Sequence, residues 1–66
     1  MKKTIREMAK GEFFTRMATD EPTMHQVWVR GDYDRATKMF ECYKWDDTNH
    51  TSFLKGNREM YVGFTF

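Results

Sequence analysis

Residues 26 to 45, QVWVRGDYDRATKMFECYKW, decide the fold. Val27, Val29 and Tyr33 alternate with Trp28, Arg30 and Asp32. After Asp34-Arg35-Ala36-Thr37 the alternation resumes, with Phe40 and Cys42 set against Met39, Glu41, Tyr43 and Trp45. A period of two on both sides of a polar break predicts a β-hairpin. A four-residue loop closed by Tyr33 and Lys38, or a two-residue loop closed by Asp34 and Thr37, gives one and the same register. In it Val29 faces Cys42 and Gly31 faces Phe40 on the core side. On the outward side Trp28 faces Tyr43, Gln26 faces Trp45 and Arg30 faces Glu41. Aromatic and opposite-charge pairs of this kind each contribute about 0.2–1 kcal/mol. A slip of one residue would put Val29 and Phe40 on opposite faces.

The hairpin contains Arg30-Gly31-Asp32, the tripeptide that adhesion proteins display on exposed loop tips. Here it falls inside a strand. Arg30 has Glu41 as a strand partner, Gly31 leaves room for Phe40, and Asp32 leads into the turn. A three-residue match without supporting context is a weak motif, so the tripeptide is read as the working parts of a strand.

Outward from the hairpin, Thr4-Ile5-Arg6-Glu7 has the form of a capping box. It predicts a short helical turn with Ile5, Met8 and Ala9 on one face, left through Gly11. Glu12 to Met17 reads as a first strand with Phe13, Thr15 and Met17 on one face, and Ala18 to His25, with the only proline, as a loop. Asp46 to His50 is a polar loop whose side chains bond their own backbone. Thr51 to Leu54 makes a short strand, and Lys55 to Arg58 a turn. Glu59 to Phe66 is the last strand, with Met60, Val62, Phe64 and Phe66 on one face.

These elements predict one mainly β domain over residues 1–66: a small, five-stranded, antiparallel, partly open barrel of the SH3-like kind with a short N-terminal helical turn. A curved antiparallel sheet packed on that turn is the second choice. The chain has 66 residues, and a domain of that size buries only about 60% of its unfolded surface. One cysteine excludes an internal disulfide, and two histidines with that cysteine give no zinc-ligand spacing. Six Phe, three Tyr and two Trp leave aromatic packing or self-association as the means of stability.

The segments TIREMAKGEFF (4–14), VWVRGDYDRATKMFECYKWDD (27–47) and FLKGNREMYVGF (53–64) resemble a group of short uncharacterised bacterial and phage-borne proteins. The resemblance rests on a turn glycine, a hairpin and a lysine–glycine turn before the last strand. It implies a small β-rich fold and a bacterial or mobile-element setting, and it transfers no activity.

Eleven Lys and Arg stand against ten Asp and Glu, which argues against a domain that binds mainly by neutralising phosphates. No stretch is long and apolar enough to span a membrane, and the start of the chain has no secretory apolar run. With a free cysteine, this predicts a cytoplasmic protein. Adjacent Asp46 and Asp47, even with Asn49 and His50, seldom converge on a cation, and Cys42 falls on the core face beside Val29 and Phe40, as a small hydrophobe rather than a nucleophile. No catalytic motif is present, so the expectation is a protein that is not an enzyme and takes no cofactor or metal.

The remaining candidate is the outward face of the hairpin: Trp28, Tyr43 and Trp45, with Arg30 and Met39 nearby. Trp, Tyr and Arg dominate interface hot spots. That face is a free binding surface, a second small core under the helical turn, or the contact of a homodimer. Protein binding is the first functional expectation. A nucleic-acid-binding barrel, with aromatics stacking on bases and Arg30, Arg35, Lys38, Lys44, Lys55 and Arg58 on the backbone, is the alternative.

Overall fold

A computed structural model describes residues 1–18 and 21–64 of the chain. Six strands form among them: β1 (Lys2–Thr4), β2 (Phe13–Phe14), β3 (Trp28–Asp34), β4 (Met39–Lys44), β5 (Asp47–Leu54) and β6 (Glu59–Tyr61). They make two antiparallel sheets, one in the order β2-β3-β4-β5 and one of β1 with β6. The fold is mainly β as expected, but the strands number six rather than five, and the sheets do not close into a barrel.

The central hairpin is β3 and β4. Its loop is closed by Asp34 and Met39, not by either expected pair. Asp34 accepts there from the Ala36 N–H at 3.0 Å and, through its carbonyl, from the Lys38 N–H at 2.8 Å. Lys38 takes the left-handed conformation that ends the turn, at φ 59°.

The register differs from the expected one for a physical reason. Trp28 pairs with Lys44, Val29 with Tyr43 and Arg30 with Cys42, but Tyr33 pairs with Phe40. Gly31 and Asp32 therefore oppose Glu41 alone, which is a β-bulge. At Gly31 the backbone of β4 comes so near that any β-carbon would overlap the Glu41 carbonyl oxygen. The bulge splits the hairpin by parity. Near the turn, Tyr33 and Phe40 share the core side, with ring centroids 4.9 Å apart. Beyond the bulge the faces of β3 are inverted while those of β4 hold, so Trp28 points to the core and Val29 to the other side.

The β4–β5 connection is a tight turn at Trp45 and Asp46, with Lys44 opposite Asp47. The next pair is Tyr43 with Thr51, so Thr48, Asn49 and His50 bulge out of the ladder. The expected loop over Asp46–His50 is thus mostly strand. Its self-bonding survives, as Asp47 Oδ1 accepts from the Asn49 N–H at 3.2 Å.

The capping box forms as the sequence indicates: Thr4 Oγ1 accepts from the Glu7 N–H at 3.3 Å, and Glu7 Oε1 accepts from the Thr4 N–H at 2.9 Å. The turn it starts is shorter than expected, a single 3₁₀ turn over Ile5–Glu7. Its amides are claimed from outside, Ile5 N–H by the Arg58 carbonyl at 2.9 Å and Arg6 N–H by that of Gly56 at 3.0 Å. Gly11 stands instead in a separate turn, where the Glu12 N–H reaches the Ala9 carbonyl at 3.0 Å and φ is +89°. Only glycine takes that angle without strain.

Strand β2 is two residues long, and its buried ring is Phe14 rather than Phe13. The next residue, Thr15, exchanges both backbone hydrogen bonds with Tyr61 at 2.9 and 3.0 Å, which stitches the two sheets together. The last strand stops at Tyr61, and Gly63 at φ +79° turns the chain away. Thr65 and Phe66, expected in that strand, lie outside the described residues. A second 3₁₀ turn, Met24–Gln26, covers the end of the expected loop and takes Gln26 out of the hairpin, where it was expected opposite Trp45.

The core lies between the sheets. Phe14, Trp28, Phe40, Cys42 and Leu54 from the four-stranded sheet meet Ile5, Met8, Met60 and Val62. Each such side chain stabilises the fold by about 1.5–3 kcal/mol when fully buried.

Candidate functional site

Directly opposed residues of an antiparallel pair lie on the same face, so the register assigns every candidate to a side. Met39, Tyr43 and Trp45 lie on the outer face of the four-stranded sheet, with Trp45 following Tyr43 by two residues and its N–H bonded to the Val27 carbonyl at 2.9 Å. Trp28 and Arg30 lie on the inner face, with Cys42. The five residues expected to form one patch are therefore divided.

Trp28 is 8% exposed and belongs to the core. The Arg16 guanidinium covers its ring at 4.7 Å from the centroid, and His50 meets it edge-on at 5.7 Å. Arg16 also reaches Ser52 Oγ at 3.4 Å. Beside this stack lies an open cavity of about 120 Å³ lined by Thr15, Arg16, Met17, Gln26 and Trp28. Arg30 does not oppose Glu41. Its guanidinium lies 4.2 Å from the Phe40 ring centroid, and its buried Nε has no hydrogen-bond partner. Asp32 is exposed and pairs with Lys10 at 2.9 Å, a bond that raises the Lys10 pKa. The tripeptide is thus divided between a core contact, a bulge and a surface ion pair.

Two residues join the outer face that the sequence reading left out. Phe13 pairs with Val29, and Phe53 with Glu41. Phe13, Trp45 and Phe53 are 37%, 47% and 44% exposed, and the Phe13 and Trp45 rings lie 5.5 Å apart. Below them Val27 and Val29 are buried, outside the main core. Val29 is flanked by its cross-strand neighbours Phe13 and Tyr43. The face is a small second core with large rings at its rim. In the doublet Phe13-Phe14 either ring fits a core, and only the pairing with β3 decides which one enters it.

A second, wider cleft of about 340 Å³ lies at the hairpin turn. Arg6, Lys38 and Lys55 line it together with Asn57 and Met39. The Arg6 guanidinium sits close over Gly56, leaving almost no space for a β-carbon there.

Cys42 is buried, and desolvation raises its thiol pKa, the opposite of what a nucleophile needs. His25 Nδ1 is bonded to Asp46, and this bond lowers the Asp46 pKa. Among the described residues no three His, Cys, Asp or Glu side chains group to hold a metal ion. No helix there is long and apolar enough to cross a membrane.

No protein-family model, curated protein or solved structure matches this chain.

Proposed function

We propose that this chain is a non-enzymatic binding module that takes a protein partner on the outer face of its four-stranded sheet. Tyr43, Trp45, Phe13 and Phe53 are the contact residues, with Met39 farther along the same strand face. The observation that carries this reading is the exposure of three large rings on one face, above Val27 and Val29 buried beneath them. Such rings, set on a rigid sheet, supply contact area at small entropic cost. The burial of Cys42 supports a role outside catalysis.

The same reading takes the two sheets as halves of an open SH3-like barrel, supported by the Thr15–Tyr61 bridge between them. A bacterial or mobile-element setting, with attachment to a host component in the cytoplasm, rests on the sequence resemblance and the free cysteine alone.

One observation favours the alternative, a nucleic-acid-binding protein: Arg6, Lys38 and Lys55 converge on the cleft at the hairpin turn. Titration with single-stranded and duplex oligonucleotides at low and moderate salt, followed by Trp fluorescence, separates the two. Salt-sensitive quenching would replace the protein-binding reading. The protein-binding reading expects no quenching, together with a partner that is held in purified form by the wild type and by Lys10→Ala. That partner is lost from Trp45→Ala and Phe53→Ala, both still folded. A partner that binds these two variants undiminished would refute it.

A further inference from the structure

Strand β5 is the longest in the molecule, at eight residues, and it forms one edge of the four-stranded sheet. Among the described residues it pairs only with β4. The opposite edge is different: β2 has two residues, and its continuation at Thr15 is already bonded to Tyr61. β5 is therefore the one long open edge of that sheet.

Sheet proteins blunt such edges with lysine, proline or very short strands, because an open row of N–H and C=O groups pairs with another strand. Residues 48 to 54, TNHTSFL, contain no charged residue, no proline and no glycine. The bulge at Thr48–His50 is the only such device present, and the remainder, Thr51 to Leu54, runs in unbroken register beside β4. The charges stand at the ends. Asp46 and Asp47 precede the neutral run, and Lys55 follows it. Antiparallel pairing with an identical strand brings the acidic start of each beside the basic end of the other. Because Asp47 takes the ladder position next to Thr51, a two-fold axis at Ser52 sets Asp47 opposite Leu54 of the second copy and beside its Lys55, twice per dimer. Parallel pairing would set like charges together.

We propose that β5 pairs edge to edge, antiparallel, with β5 of a second copy of this chain, giving a continuous eight-stranded sheet. The pairing is isologous, so it closes at the dimer and leaves no second β5 edge open. It uses the backbone edge and is independent of the outer aromatic face as a docking surface.

Sedimentation equilibrium from about ten micromolar to about one millimolar should show a monomer–dimer equilibrium, since dimer stability scales with concentration. Amide exchange by NMR should show protection rising with concentration within Thr51–Leu54. Neighbouring amides of a strand point to opposite edges, so one of Thr51→Pro and Ser52→Pro removes only an outward N–H, which an edge strand tolerates. That variant should stay folded by circular dichroism and dimerise at least about tenfold more weakly. The other should lose a bond to β4 and stability with it. Lys55→Glu should weaken the dimer several-fold, and adding Asp47→Lys should restore it. A monomer at every concentration overturns the proposal. So does a dimer whose new protection falls on Phe13, Tyr43 and Trp45 while the β5 amides are unchanged, or one that neither proline nor charge reversal alters.

Discussion

Gly31 lies against the carbonyl oxygen of Glu41, across the bulge of β3, so closely that a β-carbon would overlap it. The glycine of the Arg-Gly-Asp tripeptide is thus fixed by the register of the hairpin. Gly31→Ala should force the two strands apart at their centre and destabilise the protein by about 1–3 kcal/mol, the usual cost of overpacking a tight site. In a domain this small each kcal/mol lowers Tm by about 4–8 °C. Thermal denaturation followed by circular dichroism checks it, with Asp32→Ala as the companion. The ion pair of Asp32 with Lys10 is solvent-exposed, so its loss should barely move Tm. Equal Tm values for wild type and Gly31→Ala would refute the role given to this contact.

The same glycine shows how far the sequence is legible. The hairpin, the capping box and the burial of Cys42 all follow from local pattern and local chemistry. The inward placement of Trp28 does not, because Val27, Trp28 and Val29 are all buried and period two cannot say which face each serves. The bulge that decides it depends on an approach of β4 to Gly31, which is a tertiary fact. Strand β1 has the sequence Lys2-Lys3-Thr4, with no apolar pattern, and is a strand because β6 pairs with it. The start of β5 was hidden likewise, since Asp47 to His50 are turn-forming residues of which only Asp47 pairs with β4. Of the five candidate residues, Met39, Tyr43 and Trp45 keep their outward side, while Trp28 and Arg30 lose it to one bulge.

The bond between His25 and Asp46 fastens the Met24–Gln26 turn to the β4–β5 turn, and it lowers the Asp46 pKa. A carboxyl whose pKa is lower folded than unfolded stabilises the fold above its unfolded value. That contribution is lost as pH falls through the folded value. Asp46→Asn should therefore be less stable than wild type near neutral pH, and the difference should shrink as pH drops below about 4. Urea unfolding at several pH values measures it. A difference that persists unchanged into strong acid would mean that the Asp46 charge contributes nothing to stability.

Burial raises the Cys42 pKa and closes off its sulfur. Both effects should make the thiol slow towards a disulfide reagent in the native protein and fast in urea. Its native labelling rate should follow the population of unfolded chains, so Gly31→Ala should label about tenfold faster for each 1.4 kcal/mol of stability it loses. Rapid labelling of the folded wild type would show that Cys42 is accessible and that its place in the core is wrong.

The two tryptophans should report opposite environments. Trp28 is 8% exposed, under Arg16 and beside His50, whereas Trp45 is 47% exposed on the outer face. Trp45→Phe leaves Trp28 as the emitter, and its fluorescence should be blue-shifted and shielded from iodide. Trp28→Phe leaves Trp45, which should emit further to the red and be quenched readily. Stability should divide the same way. Trp28→Ala should cost about 3–5 kcal/mol, close to the whole stability of a domain this size, about 0.05–0.15 kcal/mol per residue. Trp45→Ala should cost about 1 kcal/mol or less. This contrast makes Trp45 the usable probe of binding, because its loss should leave the fold standing. If Trp28 proved to be the quenchable residue, the bulge at Gly31 would be misplaced and the outer face would have to be redrawn around Trp28.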